Sequence, residues 1–197
     1  MAEVHAQVRE EELDPEREAR RRLALAQIRQ YPDPALRMPA YEVEDFDDDL
    51  ARLTELMTAL MRDANGVGLA ATQVGVLRRV FVYQAAEEEE PAAVVNPQIE
   101  ARGGETCTDE EGCLSIQGVH VPVERATAVV LTGKDVAGGD YVRELEGAGA
   151  RVAQHELDHL DGVLMLDRTT VQARKQAMAV LRPHAVAAGL RFTDGDG

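Results

Sequence analysis

Three side chains of this 197-residue sequence have the types and spacing to share one metal ion: His155, His159 and Cys113. The two histidines bracket the pentad His155-Glu156-Leu157-Asp158-His159, an H-E-x-x-H pattern. Residues four apart on a helix project from one face, about 40° from each other and one turn apart, so both imidazoles can reach the same ion. Glu156 follows the first histidine directly and can set a carboxylate beside metal-activated water. Cys113 lies 42 residues upstream, within Glu111-Gly112-Cys113-Leu114-Ser115. Two nitrogens and a sulfur leave a fourth position for solvent, as catalytic sites do; structural zinc sites fill all four positions with Cys and His. His120 has no ligand-like spacing to these three, and Cys107 reads as a plain thiol. The chemistry this set can perform is attack of an activated water on a carbonyl compound. Taken alone, H-E-x-x-H also fits two surface histidines on a helix.

A further segment, Gly66-Val67-Gly68-Leu69-Ala70-Ala71-Thr72-Gln73, allows two readings. Two glycines after a helix make an ordinary C-cap and turn. That reading leaves Gln73 without a purpose. The alternative is a tight segment whose backbone approaches a ligand closely, with Gln73 offering an amide donor to an oxyanion.

These residues need elements to hold them. Ala148 to Leu160 is expected as the motif helix, with Gly162 as its stop signal. Leu50, Leu53, Leu56, Met57, Leu60 and Met61 recur at spacings of 3 and 4, predicting a core helix that starts at Asp47-Asp48-Asp49 and ends near Asp63. The acids at its start suit the helix dipole. Val76 to Tyr83, Val94 to Arg102 and Val119 to Glu124 read as strands. Ala126 to Leu131 and Asp140 to Glu146 flank Gly138-Gly139 as a hairpin. Tyr31-Pro32-Asp33-Pro34 blocks helix and reads as a turn or extended segment. Thr170 to Ala188 is a last amphipathic helix, with Pro183 expected to kink or break it. Strands and helices do not alternate regularly, so the expected class is α+β, with antiparallel β-sheets around a central helix carrying the motif and additional N-terminal and C-terminal helices. Residues 1–23 form a charged extension, helical from Pro15 to Leu25 or disordered; residues 24–190 form the catalytic domain, and 191–197 a flexible tail.

Composition excludes several classes. Net charge is −15, which opposes general nucleic-acid binding, DNA included. No apolar stretch approaches the roughly 18 residues of a membrane span. Cys107 and Cys113 would close only a small loop and no secretory h-region is present, so a reducing cytoplasm is expected. One basic stretch stands out: residues 168–191 hold Arg168, Arg174, Lys175, Arg182 and Arg191 with no Asp or Glu.

The three chemical segments together resemble peptide deformylase. That family's motifs, G-x-G-x-A-A-x-Q, E-G-C-x-S and H-E-x-D-H, stand in order at residues 66–73, 111–115 and 155–159. The resemblance extends from Ile28 to Asp167, through Tyr31-Pro32-Asp33-Pro34, Asn96-Pro97, Arg125 and Gln154. It implies an enzyme that removes the formyl group from N-terminal formyl-methionine of newly made polypeptides. Cys113, His155 and His159 would hold one divalent metal, Fe²⁺ in the cell, with Zn²⁺, Ni²⁺ or Co²⁺ acceptable to the same donors. Glu156 would be the general base. The Leu114 N–H and the Gln73 side chain would hold the oxyanion with the metal. Backbone at Val67 and Gly68 would pair with the substrate main chain like an added strand, and a pocket near Val152 and His155 would take the methionine side chain.

The resemblance also implies a Glu111–Arg125 ion pair, and leaves Asp158 to face solvent or to orient a ligand. Three positions depart from the family. Gln117 stands where Pro is usual, which predicts a less stiff loop. Ala148-Gly149 replaces bulkier residues, which predicts a wider side-chain pocket. His120 stands where a substrate-contacting residue, often Arg, is frequent. The substrates would be N-formyl-methionyl nascent peptides. A weak ribosome contact through the basic C-terminal helix is one reading of that helix, ordinary solvated arginines the other. Two alternatives to the deformylase reading are an H-E-x-x-H metallopeptidase, drawing a third ligand from Asp161, Asp167 or His184, and a catalytically inactive deformylase-like metal-binding protein.

Overall fold

Residues 14–86 and 88–187 are described by the computed structural model of the chain. Five strands form one sheet in chain order: β1 (Gly68–Ala70), β2 (Val80–Tyr83), β3 (Ala92–Cys113), β4 (Ile116–Lys134) and β5 (Asp140–Glu146), each antiparallel to the next. The expected antiparallel sheets are therefore a single meander. β3 and β4 are far longer than the sequence suggests. Gly104 at φ +67 and register shifts between Arg102/Thr106 and Glu111/Cys113 let one ladder bend rather than stop, so turn-forming residues inside it do not end the strand. β2 begins at Val80, later than the predicted Val76.

Alternation along β2 assigns its two faces. Val80 and Val82 join Leu25, Met57, Met61 and Leu69 beneath α1 (Pro15–Gln27) and α2 (Asp48–Asp63). Phe81 and Tyr83 point the other way, toward Ala150, Ala153 and Leu160 of α3 (Gly147–Leu160). The sheet thus lies between two helices on one face and the motif helix on the other, and α3 touches all five strands. A further cluster packs Ile116, Val121 and Val123 of β4 against Leu164 and Met165 at the start of α4 (Met165–Arg168) and Leu181 of α5 (Val171–Ala187).

Local chemistry sets the boundaries. Asp47 caps α2 by accepting from the Leu50 N–H at 2.9 Å. Asp14 caps α1 with Pro15 at its first position. The helix continues past residue 23, and its buried Ala24 and Leu25 anchor it to the core. The Tyr31–Pro32 peptide is cis, and Asp33 caps the 3-10 turn Pro34–Arg37 that follows. Pro183 does not break α5, which runs on to Ala187. Residues 191–197 and Arg191 of the basic stretch lie outside the described residues.

Candidate active site

Cys113 ends β3, immediately before the two-residue turn Leu114-Ser115 that returns the chain into β4. His155 and His159 face it from adjacent turns of α3. The Cys113 sulfur lies 3.2 Å from His159 Nε2, and the candidate ligand atoms of Cys113, His155 and His159 lie within 4.8 Å of one another. His155 uses Nδ1 to contact Glu111 Oε2 at 3.0 Å, which leaves Nε2 for a cation. A thiolate and two imidazoles at this spacing fit a divalent transition metal. Thr72 Oγ1 donates to the His159 carbonyl at 3.1 Å, and Gln154 bridges α3 to Ala126 of β4 through both its amide atoms, so α3 is held by the turn that follows β1 and by β4.

Behind the ligands runs a chain of buried charge. Arg125 grips Glu111 with two nitrogens, at 2.9 and 3.0 Å, and reaches Asp158 with the third at 2.6 Å. Arg168 closes on the far side of Asp158 at 2.6 and 3.0 Å. The implied Glu111–Arg125 pair is thus present, and Asp158 is buried between two guanidinium groups rather than facing solvent. Arg151 adds a third nitrogen to Glu111, at 2.9 Å from Oε1. Burial alone would raise the Glu111 carboxyl, but the contacts with His155 and Arg125 bring it down to about 2.

Glu156 is also buried, beside Gly68. A Cβ on Gly68 would overlap the Glu156 carboxylate, coming 2.8 Å from its Cδ, so the strand must be bare there. Glu156 Oε2 has no hydrogen-bond partner. Burial pushes its acid up to about 7, with the neighbouring His155 opposing the shift and Glu111 adding to it. An acid titrating near neutrality can take and return a proton. Their surroundings drive the two histidines in opposite directions. Burial would lower His155, but hydrogen bonds to Cys113 and Glu111 raise it; burial and the charge on His155 lower His159.

Gln73 is buried, with its carbonyl oxygen accepting from the Ala70 N–H at 2.8 Å. Its Nε2 is aimed at Ser115 Oγ, 3.1 Å away, and at the Cys113 sulfur, 3.7 Å away. That bond to Ala70 fixes which end of the amide faces the site. β1 is one of the two edge strands of the sheet. The Val67 carbonyl already accepts from the Gln84 N–H at 2.9 Å, so in the antiparallel alternation the groups of Gly68 face the free edge.

A cleft of about 720 Å³ opens over these atoms. It brings together Val67, Gly68, Gln73, Cys113, Leu114, His120, Val152, His155 and Glu156; His159 lies behind the wall, 1% exposed. Neither Ala148 nor Gly149 lines it: Ala148 is exposed, and Gly149 is buried against Ala85, so these small residues do not widen the pocket. Gln117 donates to Gln30 Oε1 at 2.9 Å, while Gln30 Nε2 holds the Leu114 carbonyl at 3.0 Å. Side-chain hydrogen bonds thereby tether the segment that Gln117, in place of the usual Pro, was expected to leave less stiff. Sequence reasoning missed Arg151, which lies one helical turn before His155 on the same face; the i, i+4 spacing was the available signal. It also missed Glu18 and Arg21 in the cleft wall, since nothing in sequence ties α1 to the motifs. Cys107 is exposed and apart from the site. Downstream acids are engaged elsewhere: Asp161 pairs with Arg79 at 2.7 Å, and Asp167 with Arg37.

Comparison with known proteins agrees with this geometry. Residues 25–175 match the family model described as polypeptide deformylase. Peptide deformylase 1 of Corynebacterium glutamicum is 46% identical over 165 residues, covering 83% of this chain and 98% of that protein. Peptide deformylase of Alkalilimnicola ehrlichii is 46% identical over 156 residues, 78% of this chain and 87% of its own. Among solved structures, peptide deformylase from Thermotoga maritima superposes with a TM-score of 0.69 at 43% identity, covering 73% of this chain and 96% of that one. That from Plasmodium falciparum gives 0.77 at 33% identity, covering 85% and 99%.

Proposed function

The chain belongs to the polypeptide deformylase family, and from that premise we propose how its own residues carry out the reaction. The enzyme hydrolyses the formyl group from N-terminal formyl-methionine of newly made polypeptides, releasing formate. The observation that carries the assignment of roles is the meeting of Cys113, His155, Glu156 and Gln73 in one cleft, with His159 closing the ligand set behind it.

Cys113, His155 and His159 would hold one divalent metal, which when bound would supply Lewis acidity toward the formyl oxygen and the attacking water. Fe²⁺ is the proposed cellular ion, and Zn²⁺, Ni²⁺ and Co²⁺ suit the same sulfur and nitrogen donors. Glu156 takes a proton from water as its oxygen joins the formyl carbon. It returns that proton to the amine nitrogen as the carbon–nitrogen bond breaks, leaving formate and a free N-terminus. The Gln73 Nε2 and the Leu114 N–H donate to the developing oxyanion. Gly68 and its neighbour Val67 offer the edge of β1 to the substrate backbone. Val152 beside His155 receives the methionine side chain, and His120 contacts the chain beyond it at the rim.

The catalytic domain is proposed to span residues 24–190, between the extension and the tail. No helix among the described residues is long and apolar enough to cross a membrane; the proposed location is the cytoplasm, where nascent chains are made. A weak ribosome contact would use α5. Arg168 and Arg174 are engaged with Asp158 and Asp167, so Lys175 and Arg182 would carry it. Ribosome pelleting at two salt concentrations tests this: binding should weaken with salt, and absent or salt-independent binding removes the idea.

Formate release from a formyl-methionyl tripeptide, compared with cleavage of its internal peptide bonds, tests the whole reading. Formate without internal cleavage is expected. The reverse result would favour the metallopeptidase alternative, and neither product from metal-loaded protein would favour the inactive one.

A further inference from the structure

The matched family region begins at residue 25, yet the cleft has a wall that lies before it. Glu18 and Arg21 of α1 line the same cavity as Cys113, His155 and Glu156. The helix is fixed in that position from two sides. Leu25 and Ile28 sink into the core, and Arg17 Nη2 donates to Asn65 Oδ1 at 3.0 Å. Asn65 lies just before Gly66, Val67 and Gly68, which also line the cleft and lead into the edge strand β1. A peptide laid along that edge and extending past its methionine therefore meets α1.

The charges in the wall differ in how they are used. Arg151 is tied to Glu111 and to the Val123 and Cys107 carbonyls. Among the described residues Arg21 pairs only with Glu18, 4.0 Å away, and it keeps 38% of its side chain exposed. Among the described residues that line the cleft, it is the arginine whose charge is not consumed by the buried network. We propose that α1 is a specificity wall for the residues downstream of the formyl-methionine, with Arg21 favouring an acidic side chain there. Glu18 is the partner that an incoming carboxylate displaces. Glu110 also lines the cleft and acts in the opposite sense, so the contribution of Arg21 is read as a change in preference between substrates rather than as an absolute preference.

This inference rests on the deformylase reading, and a minimal substrate separates the two. Wild type and Arg21→Glu are compared on formyl-methionine amide and on two formyl-methionyl peptides carrying Asp or Lys at the second and third residues. The amide should be deformylated equally by both enzymes, since it does not reach α1. The Asp-over-Lys ratio of kcat/KM should fall about two- to fivefold in Arg21→Glu, the size of a partly exposed ion pair, and Arg21→Lys should restore most of it. An unchanged ratio in Arg21→Glu, with the amide still turned over, overturns the wall. Loss of formate release from the amide in wild type would overturn the deformylase reading instead.

Discussion

His155 meets Glu111 through Nδ1 at 3.0 Å, and Glu111 is in turn held by two arginines, Arg125 and Arg151. The orientation of this proposed ligand is thus set by a carboxylate that is itself held by arginines. Glu111→Gln keeps the shape and removes the anion, leaving Arg125 without its bidentate partner. Metal affinity should drop about 10- to 100-fold. Competition against a chelator, with Co²⁺ absorption as the readout, checks it; unchanged affinity would show that Glu111 does not orient the ligand.

Gly68 and Glu156 are placed so that one constrains the other. Gly68→Ala should displace the carboxylate while leaving Cys113, His155 and His159 untouched. Metal content should stay the same and kcat should fall about 10²-fold, the scale of a misplaced catalytic group. Metal loss with proportionate activity loss would instead mean a disturbed fold.

Removing the carboxylate altogether should be more severe. Glu156→Ala is expected to retain metal and lose about 10²- to 10⁴-fold in kcat. Elemental analysis alongside initial rates measures both, and full turnover in this variant is incompatible with Glu156 as the base.

Gln73 has two jobs that a careful substitution can separate. Its oxygen caps the Ala70 N–H, and its nitrogen points at the site. Gln73→Glu preserves the acceptor and deletes the donor. The expected cost is about 10²–10³ in kcat, corresponding to about 2.7–4 kcal/mol, with little change in thermal midpoint. A rise in KM with kcat intact would count against the oxyanion role.

Asp167 gives a pH-dependent prediction away from the metal. Burial would raise its carboxyl, but the Arg37 pair and the Leu164 N–H outweigh that and hold it below the ordinary 3.8. A carboxyl depressed in the folded state stabilises fully above the unfolded value and loses that contribution as pH falls through the folded one. Asp167→Asn should therefore lower the melting temperature near neutrality. The gap to wild type should shrink steadily as the pH is taken below 3.8. A gap constant from neutrality into that acid range would mean the carboxylate's charge contributes nothing.

Much of the site was legible because its chemistry is carried by short, rigid spacings. His155 and His159 share a face by helix geometry alone, and the acids at Asp47 announce where α2 begins. The tight Gly66–Gly68 segment indicated close approach, though not that Glu156 is what approaches. Long-range pairing was harder to read. Nothing local reveals that Asp158 sits between Arg125 and Arg168, because burial of a charge depends on which elements meet. Strand length was misjudged where bulges carry β3 and β4 past glycines that usually end a strand. The small residues Ala148 and Gly149 looked like pocket-formers, but helix rotation turns one to solvent and the other onto Ala85.

Neighbours in the sheet are neighbours in the chain, from β1 through β5. Each strand can therefore join its predecessor across a comparatively short loop, a local topology that favours quick folding. The sulfur donor arrives midway through this sequence, at the tip of β3, whereas both imidazoles follow only with α3. During synthesis the proposed ligand set can be complete only once residue 159 has been added, so an enzyme that matures other newborn proteins would finish its own metal site only after all five strands of its sheet have been made.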